Sequence, residues 1–320
     1  MKIVWQTSHG NAGVAYGSLS FDGPALGDYS WPLIEITGAQ SGPRMCIMAG
    51  VHVNEPSSIE AAIKLQSVLS PAQISGVISI LPIVNIPGSY KHVVESPVDG
   101  KNLHWIYPGN ATGTFSECLA AAILSEWAVG ADILLDLHGG DIGENLTNYV
   151  VYQQTSDAAW NQECMELASC FDTPVAIGLA LDHLDAMGRC CTALARQRRK
   201  ALVCESGING TLGDGNVNWH LNGIINIGRH LGIIRDGVQP VSRKQVILDR
   251  YHFLTSPADG LIYPEVQPGS PIARGDLFAE LRDPFGRKIA HITAPASGYV
   301  MWHTLFQFAK KSTWVGAIAT

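Results

Sequence analysis

Residues 45–56 read Met45-Cys46-Ile47-Met48-Ala49-Gly50-Val51-His52-Val53-Asn54-Glu55-Pro56, and this stretch sets the architecture. The run Met45–Val51 is apolar on both alternating faces, as expected of a strand buried inside a sheet. Pro56 suits the first turn of a helix, where its missing N–H costs nothing, and the helical pattern carries on to Leu69. The same alternation recurs downstream. Val77–Val84, Asp132–Leu137 and Ala201–Cys204 read as further strands, and Phe115–Val129 and Ala158–Cys170 as helices. From about residue 31 to 206 the chain therefore reads as an α/β sheet flanked by helices, preceded by a β extension over residues 1–30.

The character changes near Asp249. Turn pairs at Asp259-Gly260, Pro268-Gly269, Arg274-Gly275 and Ser297-Gly298 punctuate short apolar runs, which predicts a small all-β unit. The expected division is a catalytic domain over 1–245 and a β domain over 246–320. Hydrophobic residues at 46% and charged ones at 15% fit a packed globular enzyme. A net charge of −7 argues against nucleic acid, whose phosphates call for clustered Lys and Arg. The one basic run, Arg196–Lys200, reads as a solvated helix end. Gly210–Asn218 is glycine-rich but lacks a phosphate-loop lysine, and reads as a mobile loop. No segment has the length of a membrane span or the pattern of a secretory signal. Seven irregularly spaced cysteines suggest reduced core thiols and a cytoplasmic protein.

Three motifs carry chemistry, and each sits at the C-terminal end of an apolar strand: His52 with Glu55, Asp136-Leu137-His138-Gly139-Gly140, and Cys204-Glu205-Ser206-Gly207. Two imidazoles and a carboxylate make a three-ligand zinc site with a position left for water, so His52, Glu55 and His138 are the expected ligands of one Zn2+ per chain. Glu205 is the candidate general base for that water. Asp136 shares a strand face with His138 and could support its ring. Each residue alone has an ordinary structural reading. Their joint placement is what counts, because open α/β sheets bind ligands beyond the carboxyl ends of their strands.

AGVHVNE, DLHGG and CESG, in this order and spacing, resemble the succinylglutamate desuccinylase/aspartoacylase family, which is related to the zinc carboxypeptidases. The similarity extends through Asn85-Ile86-Pro87 and Asp99–Gly109. It implies a zinc-carboxypeptidase-like mixed sheet and a lipoyl/biotinyl-like C-terminal β domain. It also implies that Glu205 activates water and passes the proton to the leaving amine. Members usually read N-L-N-R-x-F-P-G in the middle motif, whereas this chain has Asn102-Leu103-His104-Trp105-Ile106-Tyr107-Pro108-Gly109. His104 and Trp105 thus replace an Asn-Arg pair that clamps a substrate carboxylate, and a second arginine expected before Pro97 is also missing.

The implied activity is hydrolysis of the amide bond in a small N-acyl amino acid or related N-acyl amine. A carboxypeptidase-like peptidase and an inactive metal- or ligand-binding relative are the rivals. Asn102, His104, Trp105 and Lys91 are the candidate substrate contacts. Trp105 could stack on a ring or a cation or simply pack, and His104 could donate to the scissile carbonyl. Lys91, His92, Arg189 and Arg196 are candidates for the missing electrostatic stabilisation. Without the Asn-Arg pair, substrates lacking a carboxylate should be tolerated, unless another arginine has moved in. The expected partner is a small molecule, with no nucleic acid and no membrane, and a homo-oligomer is compatible with this reading.

Overall fold

The computed structural model describes residues 1–7, 12–305 and 307–320, with the backbone alone at residue 185. Among the described residues eleven strands precede residue 250: β1 Lys2–Thr7, β2 Gly13–Ser20, β3 Trp31–Thr37, β4 Gln40–Met48, β5 Ser75–Leu81, β6 Ile133–His138, β7 Glu144–Leu146, β8 Tyr149–Gln154, β9 Val175–Ala180, β10 Lys200–Glu205 and β11 Val246–Leu248. All except β7 join one mixed sheet in the order β1-β2-β3-β5-β4-β6-β10-β8-β9-β11. Its centre, β5-β4-β6-β10, is parallel, which explains the unbroken apolar runs: every residue of β6 is buried. The N-terminal extension forms strands that join this sheet, β2 antiparallel to β3 and β1 antiparallel to β2.

Among the described residues six α-helices flank the sheet: α1 Pro56–Val68, α2 Ile86–Ser89, α3 Phe115–Ala122, α4 Ala158–Ala168, α5 Cys190–Arg196 and α6 Asp214–His230. One core joins the sheet to α1, α4 and α6 through Ala61, Leu65, Trp160, Cys164, Ile224 and Ile227. The other core joins it to α3 and α5 through Phe115, Leu119, Cys190 and Leu194. The basic run does follow a helix end, since α5 stops at Arg196 and residues 196–198 are exposed.

The loop expected over 210–218 is half wrong. Helix α6 begins at Asp214, and Val217, Leu221, Ile224 and Ile227 form its buried stripe. Four Asn and three Gly within it depress helix propensity and hide the element. Gly223 has a specific use, since a Cβ there would lie 2.0 Å from Phe171 Cδ1.

From Tyr251 onward the described residues form strands and turns only: β12 Tyr251–Thr255, β13 Gly260–Pro264, β14 Pro271–Ile272, β15 Leu277–Arg282, β16 Lys288–Thr293, β17 Gly298–Thr304, β18 Gln307–Ala309 and β19 Trp314–Ala319. They make two sheets around a core that includes Leu254, Ile262, Phe278, Leu281 and Ile318. β7 belongs to this part by pairing, with Trp302 opposite Leu146 and Thr304 opposite Glu144. Among the described residues no helix is long and apolar enough to cross a membrane.

All seven cysteines are free and buried. Burial pushes the Cys46 thiol up to about 11 and those of Cys164 and Cys170 up to about 12. The thiolate is the reactive form, so native protein at about pH 8 should release almost no thiol to Ellman's reagent, while denatured protein releases all seven. Rapid modification of the folded chain would contradict this packing.

Candidate metal centre and catalytic cavity

Parallel β4, β6 and β10 deliver their carboxyl ends to one edge of the sheet. His138 closes β6, and its register partner on β10 is Glu205. Antiparallel β8 then places Tyr149 opposite Glu205. In-register neighbours point to the same face, so three reactive side chains form a row. Beyond β4 the backbone stays paired for two more residues, with Ala49 N donating to Leu81 O and Val84 N donating to Ala49 O, each at 3.0 Å, and Asn85 N donating to Gly50 O at 2.9 Å. It then turns at Gly50, whose φ of +63° suits glycine and whose absent Cβ would lie 3.0 Å from Ile83 Cα. This turn aims His52 at the row. Glu55 is the N-cap of α1 but makes no side-chain cap bond; its carboxylate turns inward instead.

That carboxylate is the meeting point. Glu55 Oε1 lies 2.7 Å from His52 Nδ1, and Oε2 lies 3.1 Å from His138 Nδ1. Gly139 N donates to Oε2 at 3.0 Å. On the far side of each ring, His52 Nε2 is 3.0 Å from Asn102 Oδ1, and His138 Nε2 is 3.1 Å from Asp136 Oδ1. Ligand atoms of His52, Glu55 and His138 all lie within 4.8 Å of one another.

The electrostatics favour a cation. Burial opposes charge on His138, yet Asp136 and Glu55 outweigh it and raise the ring well above its usual range. His52 is raised for the same reason, burial being overcome by Glu55. Burial would lift the Glu55 carboxyl, but the two imidazoles hold it low. Asp136 is 1% exposed, and neither of its oxygens has a hydrogen-bond partner, so its ion pair with His138 is its compensation. The donor set fits a divalent zinc ion, with inner nitrogens converging and outer nitrogens facing acceptors. His104, Asp136 and His138 also cluster, but behind the ring of His138 rather than in front of Glu55.

The centre opens into a cavity of about 230 Å³ lined by His52, Glu55, His138 and Glu205, with Asp141, Glu144, Arg189, Trp105 and Tyr149 among its other walls. Burial pushes the Glu205 carboxyl up to about 8, with the charge of His138 opposing and that of Glu55 adding. A carboxyl so perturbed beside a metal set is suited to proton transfer near neutrality.

Of the residues singled out in the sequence, His52, Glu55, His138, Glu205, Asn102, His104 and Trp105 line this one cavity, with Asp136 directly behind it. Lys91 is exposed and lies outside the cavity, as do His92 and Arg196. Asn102 Oδ1 is committed to His52 Nε2 and to the backbone N of His104. His104 Nε2 accepts from Arg189 Nη1 at 2.7 Å, and its Nδ1 lies 3.2 Å from His138 Nε2. Trp105 does stack on a cation, and the cation is Arg189, 4.5 Å above the ring.

Sequence reasoning missed Asp141 and Glu144, although their nearness to His138 was a usable signal. It also missed the aromatic wall of Tyr251, Phe253, Trp302 and Trp314, which lies more than 40 residues downstream of Glu205 and carries no motif.

The family model for the succinylglutamate desuccinylase/aspartoacylase catalytic domain matches residues 41–231, more than half of the chain. A relative from Halomonas elongata, an N-alpha-acetyl-L-2,4-diaminobutyric acid deacetylase, is 28% identical over 278 residues, 85% of this chain and 80% of the relative. The product-bound structure of the ectoine utilization protein EutE from Ruegeria pomeroyi superposes with a TM-score of 0.86 at 23% identity, covering 99% of this chain and 98% of that one. A succinylglutamate desuccinylase structure from a Silicibacter species gives 0.83 at 22% identity over the full length of both. At these identities the two structures establish a shared fold.

Proposed function

The chain belongs to the succinylglutamate desuccinylase/aspartoacylase family, and on that premise we propose that it is a zinc-dependent deacylase that hydrolyses the amide of a small N-acyl amino acid. The observation that carries this reading is the register of Glu205 with His138 across adjacent parallel strands. It brings a buried, proton-accepting carboxyl into the same cavity as a His-Glu-His set.

One zinc ion, held by His52 Nδ1, Glu55 and His138 Nδ1, would supply Lewis acidity, bringing the pKa of water to about 7 and polarising a carbonyl. Glu205 takes a proton from the attacking water as the C–O bond forms, then returns it to the nitrogen as the C–N bond breaks. Asn102 and Asp136 hold the outer ring nitrogens and so keep both Nδ1 lone pairs turned inward. The aromatic side chains above the cavity exclude bulk water, which strengthens each electrostatic contact inside.

For the amine, the Halomonas relative suggests a diamino acid. Asp141 and Glu144 line the cavity and have the chemistry to receive a second amino group. N-α-acetyl-L-2,4-diaminobutyrate is therefore the first substrate to try. In the same reading residues 246–320 are a small domain of lipoyl/biotinyl-like type that walls the cavity and carries no prosthetic group.

Glu205→Gln should lower kcat by about 100- to 10,000-fold while metal content, read by plasma mass spectrometry, stays at one ion per chain. Retained turnover would sink the proposed proton carrier. Asp136→Asn should weaken zinc affinity by about 10- to 100-fold in a competitive chelator titration; an unchanged affinity would remove Asp136 from the ligand-supporting role. Removing metal with a chelator should abolish hydrolysis, and added zinc should restore it.

A further inference from the structure

Helix α6 carries a buried histidine that the proposed chemistry does not use. His220 is 0% exposed, and its Nε2 lies 3.3 Å from Ser206 O. A carbonyl oxygen can only accept, so Nε2 carries the proton and donates. The ring also lies against the carbonyl of His138, which together with that of Ser206 favours its N–H, although burial pushes the group down to about 4. Nδ1 has no hydrogen-bond partner among the described residues. His220 is therefore neutral and donates from one side. From this geometry we propose that His220 is a positioning residue that sets the spacing of Glu205 from His138, by holding the backbone carbonyls where β10 and β6 end.

The place of those carbonyls gives the contact its use. Glu205 and His138 are the last register pair of β10 and β6, and the next bond runs from Ser206 N to His138 O at 3.1 Å. Beyond it the two chains touch through glycines. A Cβ on Gly139 would lie 2.5 Å from Ser206 O, and one on Gly207 would lie 2.9 Å from Gly140 N. Glycine leaves no side chain to brace this crossing, and the brace comes from α6.

Asn216 stands four residues before His220, on the same face of the helix, and its Oδ1 lies 3.2 Å from Ser206 Oγ. The helix is itself anchored. Trp219 Nε1 donates to Asp172 O at 2.8 Å, and Gly213 N, at the N-cap, donates to Ser57 Oγ at 3.2 Å. Ser57 belongs to the first turn of α1, directly after Glu55. One helix thus reaches the three points of the chain that supply Glu55, His138 and Glu205.

A buried histidine can also serve packing alone. Here an unpaired nitrogen at full depth costs stability, which a leucine of similar bulk would avoid, so packing by itself does not account for the ring. The spacing it controls is one that chemistry needs. A proton carrier has to sit within about 0.5 Å of its productive position, and an error of about 1 Å can cost about 100-fold in rate. Substrate binding does not depend on that distance. The inference rests on the deacylase reading for its kinetic arm, whereas its hydrogen-exchange arm needs no turnover.

The test compares the zinc-loaded wild type with His220→Leu, His220→Gln and His220→Asn. The first keeps the bulk and removes the donor, the second places an amide nitrogen where Nε2 stands, and the third is one bond too short to do so. With N-α-acetyl-L-2,4-diaminobutyrate as substrate, His220→Leu and His220→Asn should lower kcat by about 10- to 100-fold and leave KM within about twofold. His220→Gln should recover most of kcat. Hydrogen exchange read by mass spectrometry should be faster over residues 203–208 in His220→Leu and His220→Asn, with remote peptides unchanged, and should return to the wild-type rate in His220→Gln. If thermal melting shows that His220→Leu does not fold, the other two variants carry the same comparison.

Unchanged kcat in the variants without the donor, a raised KM in place of a lowered kcat, no recovery in His220→Gln, or unchanged exchange over residues 203–208 would overturn the assignment. A wild type that hydrolyses no N-acyl amino acid, with exchange loosened in His220→Asn and restored in His220→Gln, would leave the brace standing and refute the deacylase reading instead.

Discussion

The carboxylate of Glu55 is the constraint on which the rest of this structure depends. It is 4% exposed, and an isolated charge at that depth would cost several kcal/mol. The compensation comes from separate parts of the chain: His52 from the bend after β4, and His138 with the Gly139 amide from the end of β6. None of these partners is useful unless β4 and β6 are parallel neighbours in register. The strand order at the centre of the sheet and the position of the first helix are thus tied to one side chain. Glu205 inherits its place from the same register, one strand further along.

Much of this was legible in the sequence, and the reason is burial. Strands covered on both faces read as unbroken apolar runs, so β4, β5, β6 and β10 announced themselves, and residues with ligand chemistry at their ends stood out against that background. Helix α6 did not, because its Asn and Gly content opposes helix formation and only packing of Val217, Leu221, Ile224 and Ile227 against the sheet enforces it. Propensity is local, whereas this helix owes its existence to tertiary contact.

The middle motif shows a different limit. From sequence, His104 and Trp105 looked like the loss of a carboxylate clamp, and four basic residues were candidates for the missing electrostatic stabilisation. Of these four, Arg189 lines the cavity because of the path of a loop held by Gly188, at φ +80°, and by the bond from Tyr107 N to Gly188 O at 2.8 Å. Neither feature leaves a readable spacing. The same holds for Phe253, Trp302 and Trp314, which reach the cavity only because a later sheet folds back over it. A residue pair judged by its own chemistry seemed deficient. Judged by what it touches, it is a mount for a third residue.

The pairing of β7 with β17 bears on how the molecule is put together. The segment between His138 and Tyr149 carries Asp141 and Glu144, and its hydrogen-bond ladder is completed by residues 301–305, through Thr147 N to Met301 O and Leu305 N to Gly143 O. Excising everything after Leu248 would leave a bare strand edge beside the active centre, the kind of edge that recruits neighbouring chains. The two halves are consequently not interchangeable modules. Grafting a C-terminal part from a relative would rewrite the rim of the cavity along with its roof.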